Sequence, residues 1–174
     1  MRPNDYQIEA TRTLPDLGND KLNLAHMVLG MNTEAASELQ DALDDSVNFM
    51  EEIGDILWYF SNYCYFRGLL LGLFFDNKPD FEVPVKSIEY NIANLQDLVK
   101  KYLAYGKSMN RSEEIMELKQ IAAHLFFYIE GTNYSLSDIF QKNINKLRVR
   151  FPEKFDSCLA NNRNLDKERA SLES

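Results

Sequence analysis

The sequence predicts an all-α protein, a helical bundle of about five helices formed by a single domain of 174 residues. Three observations carry that expectation. Apolar residues recur every three to four positions through long stretches, and no stretch alternates as a strand would. Seven Gly and five Pro are few, and no proline interrupts a periodic segment. An apolar share of 45%, with 12% aromatic side chains, fits a globular chain with a real core.

The elements follow in order. Leu24, Met27, Val28, Met31, Ala35, Leu39 and Ala42 keep a helical repeat, which predicts a helix over about 20–44. "LDDSVN" breaks it, and Asp45 or Ser46 suits the cap of a second helix. That helix carries Phe49, Ile53, Ile56, Leu57 and Phe60 and runs past Arg67. Residues 76–84, "DNKPDFEVP", read as a connection from their proline and charge content. A third helix is expected over about 85–105 and a fourth over about 112–130, stopped by "GTNYS". "LSDIFQKNINKLRVRF" gives a fifth, ended by Pro152, so the core spans about 20–150 and 153–174 form a polar tail.

The third and fourth helices look like a worn copy of the first two. "LQD" at 39–41 returns at 95–97, and "LWYF" at 57–60 has a counterpart in "FFYI" at 126–129. Two diverged helical hairpins are one reading; chance likeness between amphipathic hairpins is the other.

Composition narrows the function classes. A net charge of −8 argues against a nucleic-acid polymer, which needs a basic face. Cys64 and Cys158 form neither a CxxC pair nor a disulfide framework, and "MRPNDYQIEATRT" is too polar for a secretory leader. Cytoplasmic localisation is the expectation. The run from Ile56 to Phe75 is apolar enough to raise a membrane span, but Asn62, Arg67 and its acidic lead-in argue against one.

That lead-in, "EEIGDILWYF", places Glu51, Glu52 and Asp55 directly before a segment that must be buried. Helix phase shows where they point. With Leu24 at zero, Glu38 falls at about −40°, inside the apolar face, and Glu34 at about −80°, on its shoulder. With Phe49 at zero, Glu52 falls at about −60°, Asp55 at about −120° and Glu51 toward solvent at about −160°. Two neighbouring antiparallel helices thus each present a carboxylate pair. Phase alone leaves two readings open. Either Glu34 and Asp55 are solvated edges while Glu38 and Glu52 pair with lysines, or a cation such as Mg²⁺ or Mn²⁺ sits among all four.

"LNLAHMVLGMNTEAASELQDAL", followed by "NFMEEIGDILWYF", resembles the MazG-like all-alpha nucleoside triphosphate pyrophosphohydrolases. "YQIEATRT" and "NINKLRVRFPEKF … NNRNLDKERASLE" extend the likeness loosely over most of the chain. The resemblance implies Mg²⁺-dependent cleavage of a (deoxy)nucleoside triphosphate to the monophosphate and pyrophosphate. It implies metal ligation by Glu34, Glu38, Glu52 and Asp55, with Glu38 or Glu52 as the base. The family spaces its first pair Glu-x-x-Glu, whereas "EAASE" sets Glu34 and Glu38 four apart. Its basic connection resembles "KKYLAYGK", which points Lys101 and Lys107 at phosphates; Lys100 reads as a solvated helix end. Asn23 is placed to read a base edge and Tyr59, with Trp58, to stack on one. A homo-oligomer is implied, a dimer first, unless the repeat lets one chain supply both halves. The rival class is a degenerate relative that binds nucleotides or a protein without catalysis.

Overall fold

The computed structural model describes residues 1–78 and 86–173. The beginning of the expected third helix and most of the 76–84 connection fall outside them. Each long helix starts at a side-chain cap that satisfies amides left open by the first turn. Asn19 caps α2 (Asp20–Thr33), and Asp45 caps α4 (Ser46–Phe66) through the Val47 and Asn48 amides. Ser87 opens α6 (Ile88–Tyr105), and Asn110 opens α7 (Arg111–Glu130). Ser135 and Asp138 form a reciprocal capping box on α8 (Leu136–Arg150). These are the five long helices that the periodicity predicts.

Shorter helices fill in around them. α1 (Pro3–Thr11) starts on a proline, which suits a first helical turn because its amide needs no partner there. Between α2 and α4, the chain does not stay a plain α-helix. Residues Glu34–Glu38 form a π turn, in which the Leu39 amide donates to the Glu34 carbonyl, and α3 (Leu39–Asp41) continues it. The predicted helix over 20–44 is therefore one rod with a single widened turn. The second helix does not run past Arg67 as expected: α4 ends at Phe66, Gly68 takes a φ of 62° just beyond it, and the apolar run continues into α5 (Gly72–Phe75). Among the described residues no helix is long and apolar enough to cross a membrane.

The 153–174 stretch is a correction to the sequence reading. It folds as α9 (Ser157–Asn161) and α10 (Leu165–Glu173), and α10 lies along α8. Leu172 is buried, and Lys142 donates to its carbonyl at 2.6 Å. One apolar leucine and a few polar contacts dock this strap, too sparse a pattern to read as a helix from sequence.

α2 packs against α4 and α6, α6 against α7, and α4 against α8. Met27, Ile53, Leu57, Phe60, Leu95, Ile121 and Ile144 are fully enclosed between them. Tyr6 of α1 stacks on Phe140 with ring centroids 4.2 Å apart, which ties the N-terminus to α8.

Away from this core, the wholly buried Glu114 side chain accepts from Tyr63 at 2.8 Å, from Arg67 at 2.5 Å and from Arg111 at 3.1 Å. Burial works against its charge, but these donors prevail and hold the carboxyl below its ordinary range. Glu114→Ala strands two guanidiniums at the α4–α7 junction and is expected to cost about 3 kcal/mol in urea unfolding. Glu113→Ala, one residue away and exposed, should stay within about 0.5 kcal/mol.

Candidate active site

A cavity of about 530 Å³ lies where the π turn, α4, α8 and the C-terminal strap meet. Glu34, Glu38, Glu51, Glu52 and Asp55 line it, together with Arg150, Arg163 and an aromatic wall of Trp58, Tyr59, Phe151 and Phe155. This size falls within the range of small-molecule sites.

Glu34, Glu52 and Asp55 each bring a carboxylate oxygen within 4.8 Å of the others. Such crowding has a measurable consequence. Burial first, and the Asp55 charge second, push the Glu34 carboxyl up to about 7 and that of Glu52 up to about 8. A hydrogen bond between the two favours the proton on Glu52. Near neutral pH the cluster thus retains a proton where a cation would otherwise serve.

Asp55 is handled differently. Lys146, completely buried on α8, donates to both of its oxygens at 2.6 Å and to Glu51 at 3.1 Å. Burial opposes the ammonium charge, yet Asp55 and Glu51 outweigh it and keep the lysine pKa above its ordinary value. Asn143, one turn earlier on α8, donates to Asp55 Oδ1 at 2.8 Å. Its own Oδ1 accepts from the Tyr6 hydroxyl, also at 2.8 Å. Gly54 makes room for this side chain, since a Cβ there would stand 3.1 Å from Asn143 Nδ2.

The aromatic wall has a similar origin. A Cβ at position 30 would lie 2.1 Å from the Tyr59 ring, so Gly30 is what allows that ring to lie across α2. Trp58 packs edge-on against Tyr59, and its indole N–H donates to Thr13 Oγ1 at 2.9 Å. His26 lines the cavity beside Tyr59, and burial lowers its pKa, which favours a neutral ring.

The sequence-predicted residues divide. Glu34, Glu52, Asp55 and Tyr59 meet in the cavity, as their phases suggest. Glu38 lines the cavity but is exposed and lies outside the three-carboxylate cluster, because the π turn shifts the phase of the residues within it. Glu51 does not point to solvent. α8 covers that side of α4, and Lys146 binds Glu51 there. Asn23 is buried elsewhere, accepting from the Leu17 amide at 3.0 Å beside a separate cavity. Lys101 pairs with Asp97 at 2.5 Å, and neither it nor Lys107 lines the cavity.

Lys146, Asn143 and Arg163 are the residues that sequence reasoning passed over. A signal was present. Ile139, Asn143, Lys146 and Arg150 follow i, i+4, i+7, i+11, so polar side chains occupy the buried stripe of an amphipathic helix. No protein-family model matches the chain, and no curated protein or solved structure does.

Two expectations follow from these charges. A raised carboxyl pKa contributes stability that is present below the unfolded value of about 4.3 and is lost as pH rises through the folded value. In EDTA the melting temperature should therefore fall between about pH 6 and 9, and Glu52→Gln should flatten that fall. Lys146→Met leaves Asp55 and Glu51 facing each other without a cation and should cost about 3–5 kcal/mol in urea unfolding. A melting temperature within a degree of the parent would show that the ammonium does not organise these acids.

Proposed function

We propose that this chain is a divalent-cation-dependent hydrolase that cleaves a (deoxy)nucleoside triphosphate to the monophosphate and pyrophosphate. The observation that carries the reading is the convergence of Glu34, Glu52 and Asp55 in a cavity that Trp58 and Tyr59 also line. The likeness of "EEIGDILWYF" to the MazG-like pyrophosphohydrolases points the same way.

The residues present suit a hard cation. Oxygen ligands from three crowded carboxylates match Mg²⁺ or Mn²⁺, and the proton retained by the Glu34–Glu52 pair marks a need for positive charge. Glu34, Glu52 and Asp55 would hold the ion, with Glu38 at the rim. When bound, Mg²⁺ would neutralise the triphosphate and polarise phosphorus. With the repulsion so met, Glu52 would be the carboxylate that takes the proton of the water attacking the α-phosphorus, pyrophosphate being the leaving group. Asp55 keeps one orientation because Lys146 and Asn143 hold it. Tyr59 and Trp58, whose rings stand nearly perpendicular, offer an aromatic wall suited to packing a base.

A second reading is favoured by two specific observations: Glu38 lies outside the cluster, and Lys146 already contacts both Asp55 oxygens. Under it the chain binds a nucleotide without turning it over, the buried ammonium standing where catalysis would need a metal.

Pyrophosphate release from a panel of nucleoside triphosphates separates the two. The hydrolase reading expects release with millimolar Mg²⁺ and none in EDTA. Glu52→Gln should lower turnover at least a hundredfold while the protein stays folded, as expected for loss of a general base. Tight nucleotide binding without pyrophosphate release would support the second reading and end the first.

A further inference from the structure

We propose that Arg150 and Arg163, held side by side by Glu168, form an anion cradle for the pyrophosphate moiety of the substrate and for pyrophosphate as product. The inference rests on the triphosphate reading only for which molecule delivers that anion.

The two arginines come from different elements. Arg150 ends α8, and Arg163 lies in the strap between α9 and α10. Both line the cavity that holds the carboxylates. Glu168 of α10, 2% exposed, sits between them. Arg150 donates to it through Nε at 3.1 Å and Nη2 at 2.5 Å. Arg163 donates through Nε at 3.2 Å and Nη2 at 2.7 Å.

Two guanidiniums against one carboxylate leave a net positive charge on the cavity wall. Each arginine keeps Nη1 without a protein hydrogen bond among the described residues. Planar, weakly hydrated guanidiniums bind phosphate oxygens through paired N–H groups, and a shared carboxylate fixes their orientation beforehand. Arg150 also lies over the Phe151 ring, 5.9 Å from its centroid, which further limits its movement.

The strap is pinned without the two arginines, by buried Leu172, by Lys142 on the Leu172 carbonyl and by Arg169 on Asp45 at 3.3 Å. The second arginine is surplus to docking, and its position on the cavity wall is what requires explanation. Glu34, Glu52 and Asp55 line the same cavity, so an anion reaching the cradle must have their charge met by a cation or removed. A metal-bound triphosphate satisfies both sides at once, with its metal on the carboxylates and its leaving phosphates on the arginines.

The test uses inorganic pyrophosphate and titration calorimetry on the full chain, in two arms. One arm uses the parent protein with Mg²⁺. The other uses the Glu34→Gln/Glu52→Gln variant in EDTA, where removal of two acids replaces the need for metal. Pyrophosphate should bind in both arms. Arg150→Gln and Arg163→Gln should each weaken it at least tenfold, the loss expected for a charge-assisted phosphate contact. Arg148→Gln, on the same helix but paired with Glu9 outside the cavity, should change it less than twofold. Circular dichroism confirms that the variants stay folded.

No pyrophosphate binding in either arm overturns the cradle, as does undiminished binding by the Arg150→Gln/Arg163→Gln double variant. Arginine-dependent pyrophosphate binding without triphosphate hydrolysis would leave the cradle standing and remove the hydrolase reading. Hydrolysis with pyrophosphate affinity indifferent to both arginines would do the reverse.

Discussion

The buried ammonium of Lys146 is the constraint around which the rest of the site is arranged. A lysine with no exposed surface is tolerated only when its charge is met, and here Asp55 and Glu51 meet it from α4. That contact sets how α8 lies on α4 and fixes Asp55 in one rotamer. It separates the acids of "EEIGD" into two groups. Asp55 and Glu51 are satisfied by the protein itself, whereas Glu34 and Glu52 have only each other and a retained proton. The part of the cluster without a protein cation is therefore the part that a metal would complete.

The cavity is also lined by positive charge. Arg150 and Arg163 converge on one buried carboxylate, Glu168, just as Asp55 and Glu51 converge on one buried ammonium. α8 supplies a charge to both arrangements, Lys146 to the first and Arg150 one turn later to the second. One cavity thus carries a cluster of surplus negative charge and a cluster of surplus positive charge. A neutral ligand would gain little from such a field. A metal–polyphosphate complex carries both signs in the same order.

Much of this was legible in the chain, though unevenly. The long helices follow from apolar period, and Asp45, one of the two caps offered for the second helix, starts α4; the Asn110 and Ser135 caps were not read from the sequence. Helix phase put Glu34, Glu52 and Asp55 on or beside faces turned toward a neighbour, and the resemblance, not phase, selected them as one site. Glu51 was misplaced because phase measured along α4 alone takes no account of α8 arriving on that flank. Glu38 was misplaced because "EAASE" forms a π turn, and nothing in local propensity separates that turn from an ordinary helix. Lys101 and Lys107 were assigned by resemblance, and the cations at the cavity and its acids lie instead on α8 and the strap. The strap was missed because a few polar anchors, not an apolar stripe, hold it in place.

The account turns on whether Glu34, Glu52 and Asp55 hold a divalent cation together. Electron paramagnetic resonance of Mn²⁺ titrated into the protein measures this most directly, since bound and free ions give distinct signals. The account predicts saturable Mn²⁺ binding that Mg²⁺ displaces and that the Glu34→Gln/Glu52→Gln variant loses, while Glu114→Gln, at the far junction of α4 and α7, retains it. Free Mn²⁺ signal undiminished by the parent protein, or equal binding by the double variant, would contradict it.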